Sequence, residues 1–100
     1  MRRRPVALDA AERTAVAGEL GPSWRLIGEH LERRVSLERY LDGVELVVAI
    51  AAVAERLNHH PELTLSYSQL LVRVTTDELG QLSDLDVDLA RQLEVLLGER

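Results

Sequence analysis

The 100-residue chain contains no cysteine, no lysine and no phenylalanine. Without cysteine it can form no disulfide, no thiolate nucleophile and no cysteine-type zinc site. No run approaches the ~18 apolar residues of a membrane span, and the opening MRRRPVALDA lacks the apolar stretch of a signal peptide. We therefore expect a soluble, cytoplasmic protein that does not contact a membrane.

The charge of the chain is acidic overall, with a basic exception at its start. The formal net charge is -5, which argues against nucleic-acid binding because such binding depends on neutralising phosphates. All 12 basic residues are arginine, and three of them stand in MRRRP. A short charged terminus is more often solvated than bound, so we expect residues 1–8 to form a flexible tail.

The length predicts one domain over residues 1–100, and a hydrophobic content of 46% is enough for a core. Helix caps and turn residues then divide the chain. Asp9, Ser36 and Ser83 are N-cap candidates, and Gly28 marks a turn between two strands. The predicted elements are a helix over 10–20, two strands within 24–37, a helix over 37–58, strands over 63–67 and 70–76, and a helix over 84–97. This order, α-β-β-α-β-β-α, predicts an α+β domain whose four-stranded antiparallel sheet is covered by three helices.

The central helix is predicted to be covered on more than one side. Its middle, VELVVAIAAVA, is apolar almost all round, whereas a surface helix shows one apolar stripe. A domain this small buries its surface only marginally on its own. We therefore expect a second copy of the chain to provide the additional cover.

Two adjacent histidines, His59 and His60, stand directly before Pro61 in the segment AERLNHHPELTLSY. Imidazoles exchange protons near neutral pH, so the pair is a candidate for acid–base chemistry. The alternative is a solvated helix end that proline stops. A metal site is disfavoured because neighbouring helical residues point in different directions and the i, i+4 spacing of zinc helices is absent. We assign no function to His30, which lies in the predicted turn.

A fixed spacing of other residues surrounds the histidines. Glu55 stands four residues before His59, and Tyr67 stands six residues after Pro61. The last predicted helix opens with Leu82, Ser83, Asp86, Leu89 and Ala90. With these residues, the chain resembles the pterin-4a-carbinolamine dehydratase family over 24–90, and the family's element order is the one predicted above. The family's third active-site histidine is replaced here by Asp77, directly after Thr76.

The resemblance implies an activity that needs no cofactor and no metal. The family removes water from a 4a-hydroxytetrahydropterin and leaves a quinonoid dihydropterin. A base takes the N5 proton while an acid protonates the departing hydroxyl, and by resemblance His59 and His60 carry out these transfers. Glu55 would orient His59 from one helical turn away. Asp77 can accept a proton or a hydrogen bond, and we expect it to weaken catalysis without abolishing it.

The resemblance also assigns binding residues and partners. Glu55, Pro61 and Thr76 are expected to bind the pterin substrate. Family members form homodimers and homotetramers. The alternative function is a protein that has lost the chemistry and works through protein contacts, as relatives do that assist RuBisCO assembly. The histidine pair favours the enzyme, whereas Asp77 favours the binding protein.

Overall fold

The computed structural model describes residues 2–98 and contains the predicted elements in the predicted order. The four strands form one antiparallel sheet in the order β1-β2-β4-β3. The elements are α1 (Ala10–Leu20), β1 (Trp24–Ile27), β2 (His30–Ser36), α2 (Tyr40–Leu57), β3 (Glu62–Ser66), β4 (Gln69–Val74) and α3 (Asp84–Leu97). The predicted α+β fold is therefore confirmed.

Two of the three helices begin at the predicted caps. The Asp9 carboxylate accepts the Glu12 backbone N–H at 2.8 Å, and Ser83 and Asp86 form a second capping box at α3. The prediction that Ser36 caps α2 is wrong, because α2 begins only at Tyr40. Ser36 instead ends β2 and pairs with Gln69 across the sheet, so strand pairing holds it in an extended conformation.

The C-terminus of α2 is a sharp reversal at Asn58. This residue has φ 51° and ψ 43°, the left-handed conformation that commonly ends helices. The backbone N–H of His59 then donates to the Ala54 carbonyl at 3.1 Å. Because the chain turns away here, the two histidines do not continue the helical spacing of α2.

The core lies between one face of the sheet and the helices. Alternate residues of the central strands β2 and β4 are buried and lie opposite each other, for example Leu31 beside Val74. Arg33 is the exception on this face. It is only 2% exposed, and its guanidinium lies 3.2 Å from a Glu94 carboxylate oxygen, so its charge is partnered.

The middle helix α2 buries one face and leaves apolar residues on another. Leu46, Ile50 and Ala54 are buried, whereas Val48 is 66% exposed. Tyr40, Leu41 and Val44 are exposed as well. Among the helices within residues 2–98, none combines the length and apolarity needed to cross a membrane.

Residues 2–8, where the sequence predicts a flexible tail, lie against the start of α3. Ala7 forms an isolated antiparallel bridge with Ser83, and Leu8 is 8% exposed. The Val6 backbone N–H donates to the Asp84 carboxylate at 2.8 Å, and the Asp84 backbone N–H donates to the Val6 carbonyl at 3.0 Å. Backbone pairing to a helix start thus gives the segment specific contacts that its composition does not indicate.

Candidate active site

His59 lies in a buried pocket beside α3. Its Nε2 is 2.6 Å from Oδ1 of Asp86, a residue with no exposed surface. The other carboxylate oxygen of Asp86 accepts the Thr76 hydroxyl at 2.7 Å and the Ser83 backbone N–H at 2.9 Å. Because a carboxylate accepts hydrogen bonds, Nε2 of His59 carries the proton in this pair. The other ring nitrogen of His59 is Nδ1.

Arg2 covers that second nitrogen. Its Nη1 lies 3.4 Å from Nδ1 of His59 and 3.3 Å from the Asn58 carbonyl oxygen, and its Nη2 forms an ion pair with Glu78. An arginine is a donor only, so Nδ1 is the acceptor in this contact. The sequence does not indicate this position of Arg2, because nothing in a terminal arginine run predicts a contact 56 residues away along the chain.

His60 is the exposed member of the pair. Its Nε2 bonds to the carboxylate of Glu55, which is itself largely exposed. The prediction that Glu55 orients His59 is therefore wrong. The left-handed turn at Asn58 is the reason, because it swings His59 towards α3 and brings His60 back alongside the last turn of α2.

The other predicted site residues occupy different environments. Thr76 is 1% exposed and bonds to Asp86 and Ser83, so it supports the partner of His59. Asp77 is exposed, and its carboxylate makes no hydrogen bond to another residue of the 2–98 segment. Pro61 is half-buried directly before β3 and does not line either of the two clefts that open beside the histidines.

Two clefts open beside the histidines. One of about 300 Å³ lies between the 58–60 and 75–78 segments, and it brings together His59, His60, Thr76 and Asp77. The other, of about 580 Å³, includes His59 and Glu55 in its lining. Arg2 lines both clefts. Four predicted site residues therefore surround one space, and a fifth borders the adjoining one.

The electrostatics next to the site hold the N-terminal segment in place. Burial acts to raise the pKa of Asp84, but the Val6 N–H and the Arg3 guanidinium outweigh it, so this pKa is lowered from its ordinary value of 3.8. Arg3 also bonds to Asp88. A charged Asp84 therefore fastens the segment that carries Arg2 to the mouth of the cleft.

The arrangement is suited to proton transfer. Both imidazoles direct Nε2 to a carboxylate, which fixes the ring orientation, and Nδ1 of His59 is in contact with Arg2. One ring is buried and the other is in contact with water, so the pair has two distinct environments. Paired groups in distinct environments are a usual basis for dividing acid and base roles.

Comparison with known proteins gives consistent matches. A family model described as pterin 4 alpha carbinolamine dehydratase matches residues 6–96. A protein of Natronomonas pharaonis, provisionally named a pterin-4-alpha-carbinolamine dehydratase, is 33% identical over 81 residues. That match covers 81% of this chain and 88% of the relative.

Two solved structures share the fold. A transcriptional coactivator/pterin dehydratase from Brucella melitensis has a TM-score of 0.83 at 22% identity, covering 93% of this chain and 100% of the other. A pterin dehydratase-like protein, described as a RuBisCO assembly factor in the alpha-carboxysome, has a TM-score of 0.64 at 21% identity. That second match covers 81% of this chain and 96% of the other.

Proposed function

The chain belongs to the pterin 4 alpha carbinolamine dehydratase family, and we propose that it dehydrates a 4a-hydroxytetrahydropterin. The observation that carries this proposal is the pairing of both imidazoles with carboxylates beside one cleft. His59 bonds to Asp86 and His60 bonds to Glu55, so each ring is oriented by its own partner.

The reaction needs two proton transfers on neighbouring atoms of the pterin. One group removes the proton from N5 while another protonates the hydroxyl on C4a. The C4a–O bond breaks, water leaves, and the N5 electron pair forms the N5=C4a double bond. No external oxidant or reductant is required, because loss of water is not a net oxidation or reduction. The proton removed from N5 is balanced by the proton added to the hydroxyl.

We assign the base to His59 and the acid to His60. Nδ1 of His59 accepts from Arg2, so it presents the lone pair that a base needs once the substrate displaces that arginine. His60 is exposed and can recover a proton from water after each turnover. Asp86 holds the His59 ring as the carboxylate of a catalytic triad holds its histidine.

The remaining site residues have supporting roles. The Asp77 carboxylate has no hydrogen-bond partner among the described residues 2–98; it lines the cleft and accepts a ring N–H of the pterin. Glu55 orients His60, and Thr76 holds Asp86. Pro61 fixes the direction in which the chain enters β3. The reaction as written uses no cofactor and no metal.

The direct test is the rate of dehydration of a synthetic 4a-hydroxytetrahydropterin, followed by ultraviolet absorbance. Wild type should exceed the buffer rate, and His60→Ala should lose about 100-fold or more of the enzymatic rate. Glu38→Gln, an exposed change before α2, is the control and should match wild type. A wild type no faster than buffer would refute the proposed activity.

The exposed side of α2 supports an assembly role as well. Val48 and Leu41 are more than 60% exposed, and we propose that a second copy of the chain covers this face in a cytoplasmic homodimer or homotetramer. The same face supports a second candidate function, in which the chain acts by binding another protein. The RuBisCO assembly factor noted above is an example of a similar fold in such a role. A catalytically inactive wild type would favour this candidate.

A further inference from the structure

His30, which the sequence leaves without a function, lies on the wall of a third small cleft at the end of the sheet. This cleft has a volume of about 110 Å³. Its lining residues are His30, His60, Glu62, Arg73, Thr75 and Asp77. All but Thr75 are ionisable, and the cleft shares His60, Thr75 and Asp77 with the larger one that borders His59.

The strand registers explain why the two histidines meet there. Leu31 lies opposite Val74, so one position further along His30 lies beside Thr75. Glu62 lies opposite Arg73 at the end of the β3–β4 pairing, and His60 stands two residues before Glu62. Because β2 and β3 lie on either side of β4, His30 and His60 reach this end of β4 from opposite sides, and both line the cleft with Thr75.

The turn that carries His30 is fixed from three directions. The Thr75 hydroxyl donates to the Glu29 carbonyl at 2.5 Å. The Glu29 carboxylate accepts from Arg13 at 2.6 Å and from the Leu82 backbone N–H at 3.1 Å. The Arg13 contact, followed by the Leu82 N–H, lowers the pKa of Glu29. His30 is thus held at the cleft by its neighbour, while its own ring is free of hydrogen bonds to residues 2–98.

We propose that His30 is a further catalytic residue, whose imidazole N–H donates a hydrogen bond to the departing 4a-hydroxyl oxygen. This inference rests on the proposed function. The proton still comes from His60, the C4a–O bond breaks, and the released water leaves between the two rings. A donor aimed at the oxygen from the opposite wall stabilises the charge that develops as this bond breaks. An imidazole that makes no hydrogen bond within the described residues 2–98 is available for that contact.

The test measures kcat and KM for 4a-hydroxytetrahydropterin with His30→Leu, His30→Asn and wild type. His30→Leu should lower kcat by about 100-fold, with little change in KM, because the lost contact forms mainly in the transition state. His30→Asn keeps an N–H donor and should recover part of the loss. Gln69→Leu, a half-buried change at the opposite end of β4, is the control and should match wild type.

Partial recovery of kcat in His30→Asn is the readout that a structural role would not move, because asparagine restores an N–H donor without restoring the ring. An active wild type with equal kcat in His30→Leu overturns the role of His30 and leaves the proposed function intact. A wild type no faster than buffer overturns both. Circular dichroism checks that each variant is folded, and His30→Ala replaces His30→Leu if the latter is not.

Discussion

Nε2 of His59 lies 2.6 Å from the fully buried carboxylate of Asp86, and the same carboxylate caps α3. Asp86→Ala should therefore remove three partners at once and leave buried polar groups unsatisfied. We expect it to lower the free energy of unfolding by about 3 kcal/mol. Urea denaturation measures this cost. Asp88→Ala, a half-buried carboxylate on the same helix whose ion pair with Arg3 lies at the surface, is the control and should cost less than about 1 kcal/mol. Equal costs would contradict the buried network.

Substitutions of His59 and His60 should have different effects on stability, although both should lower activity. His60→Gln removes an exposed ring and should leave the thermal midpoint unchanged while lowering kcat about 100-fold. His59→Gln removes a buried ring and should lower both, with about 2 kcal/mol lost from the free energy of unfolding. Steady-state kinetics and calorimetry on the same preparations check this. A His60 variant less stable than the His59 variant would contradict the assignment of the structural contact to His59.

Arg2 should compete with the substrate for His59. Arg2→Ala frees Nδ1 and should raise kcat/KM by about two- to tenfold, the value of one partly exposed hydrogen bond. Arg4→Ala changes an exposed arginine of the same run, which makes no hydrogen bond or ion pair to residues 2–98, and is the matched control. A loss of activity in Arg2→Ala would instead mean that the guanidinium binds the substrate.

Association of copies should depend on the exposed face of α2. Val48→Glu places a charge on that face and should shift the wild-type oligomer towards monomer at micromolar concentration. Val95→Glu, at a position that is 88% exposed on α3, should leave the mass unchanged. Light scattering distinguishes these results. A wild type that is already monomeric would contradict the proposed assembly.

Acid should release the N-terminal segment. The pKa of Asp84 is lowered in the folded chain, so its contacts contribute stability above the ordinary value of 3.8 and lose it as pH falls through the folded value. The NMR shift of the Val6 amide, which donates to Asp84, should therefore titrate with a midpoint below 3.8. In Asp84→Asn this titration should disappear. A wild-type midpoint above 3.8 would mean that the pKa of Asp84 is raised, which would contradict the stabilising role of its contacts.

Local chemistry in the sequence predicted most of the fold. Asp9 and Ser83 cap their helices as expected, because each supplies a side-chain acceptor for nearby backbone N–H groups. The start of α2 was misplaced because Ser36 is an equally good cap by composition. Its pairing with Gln69 comes from another part of the chain, and local propensity does not contain that information.

Three residues predicted from the sequence, His59, His60 and Asp77, line one cleft, and their catalytic roles remain a prediction. The predicted contact of Glu55 with His59 is wrong, because it required a continuous helix up to the histidines. One left-handed residue, Asn58, changes both environments. The positions of His30 and Arg2 beside these clefts could not be found from the sequence, because sheet pairing and N-terminal contacts bring them there from distant parts of the chain.

The double use of Asp86 affects how related sequences can be interpreted. A lineage that no longer needs the chemistry would still be selected to keep this residue, because α3 requires its cap. Asp86 and the groups bonded to it should therefore be retained for the fold, whether or not the protein is an enzyme. His60, Glu55 and His30 have surface or cleft positions and could drift freely once catalysis is lost. A working enzyme and a descendant with another role should therefore diverge first at those three positions.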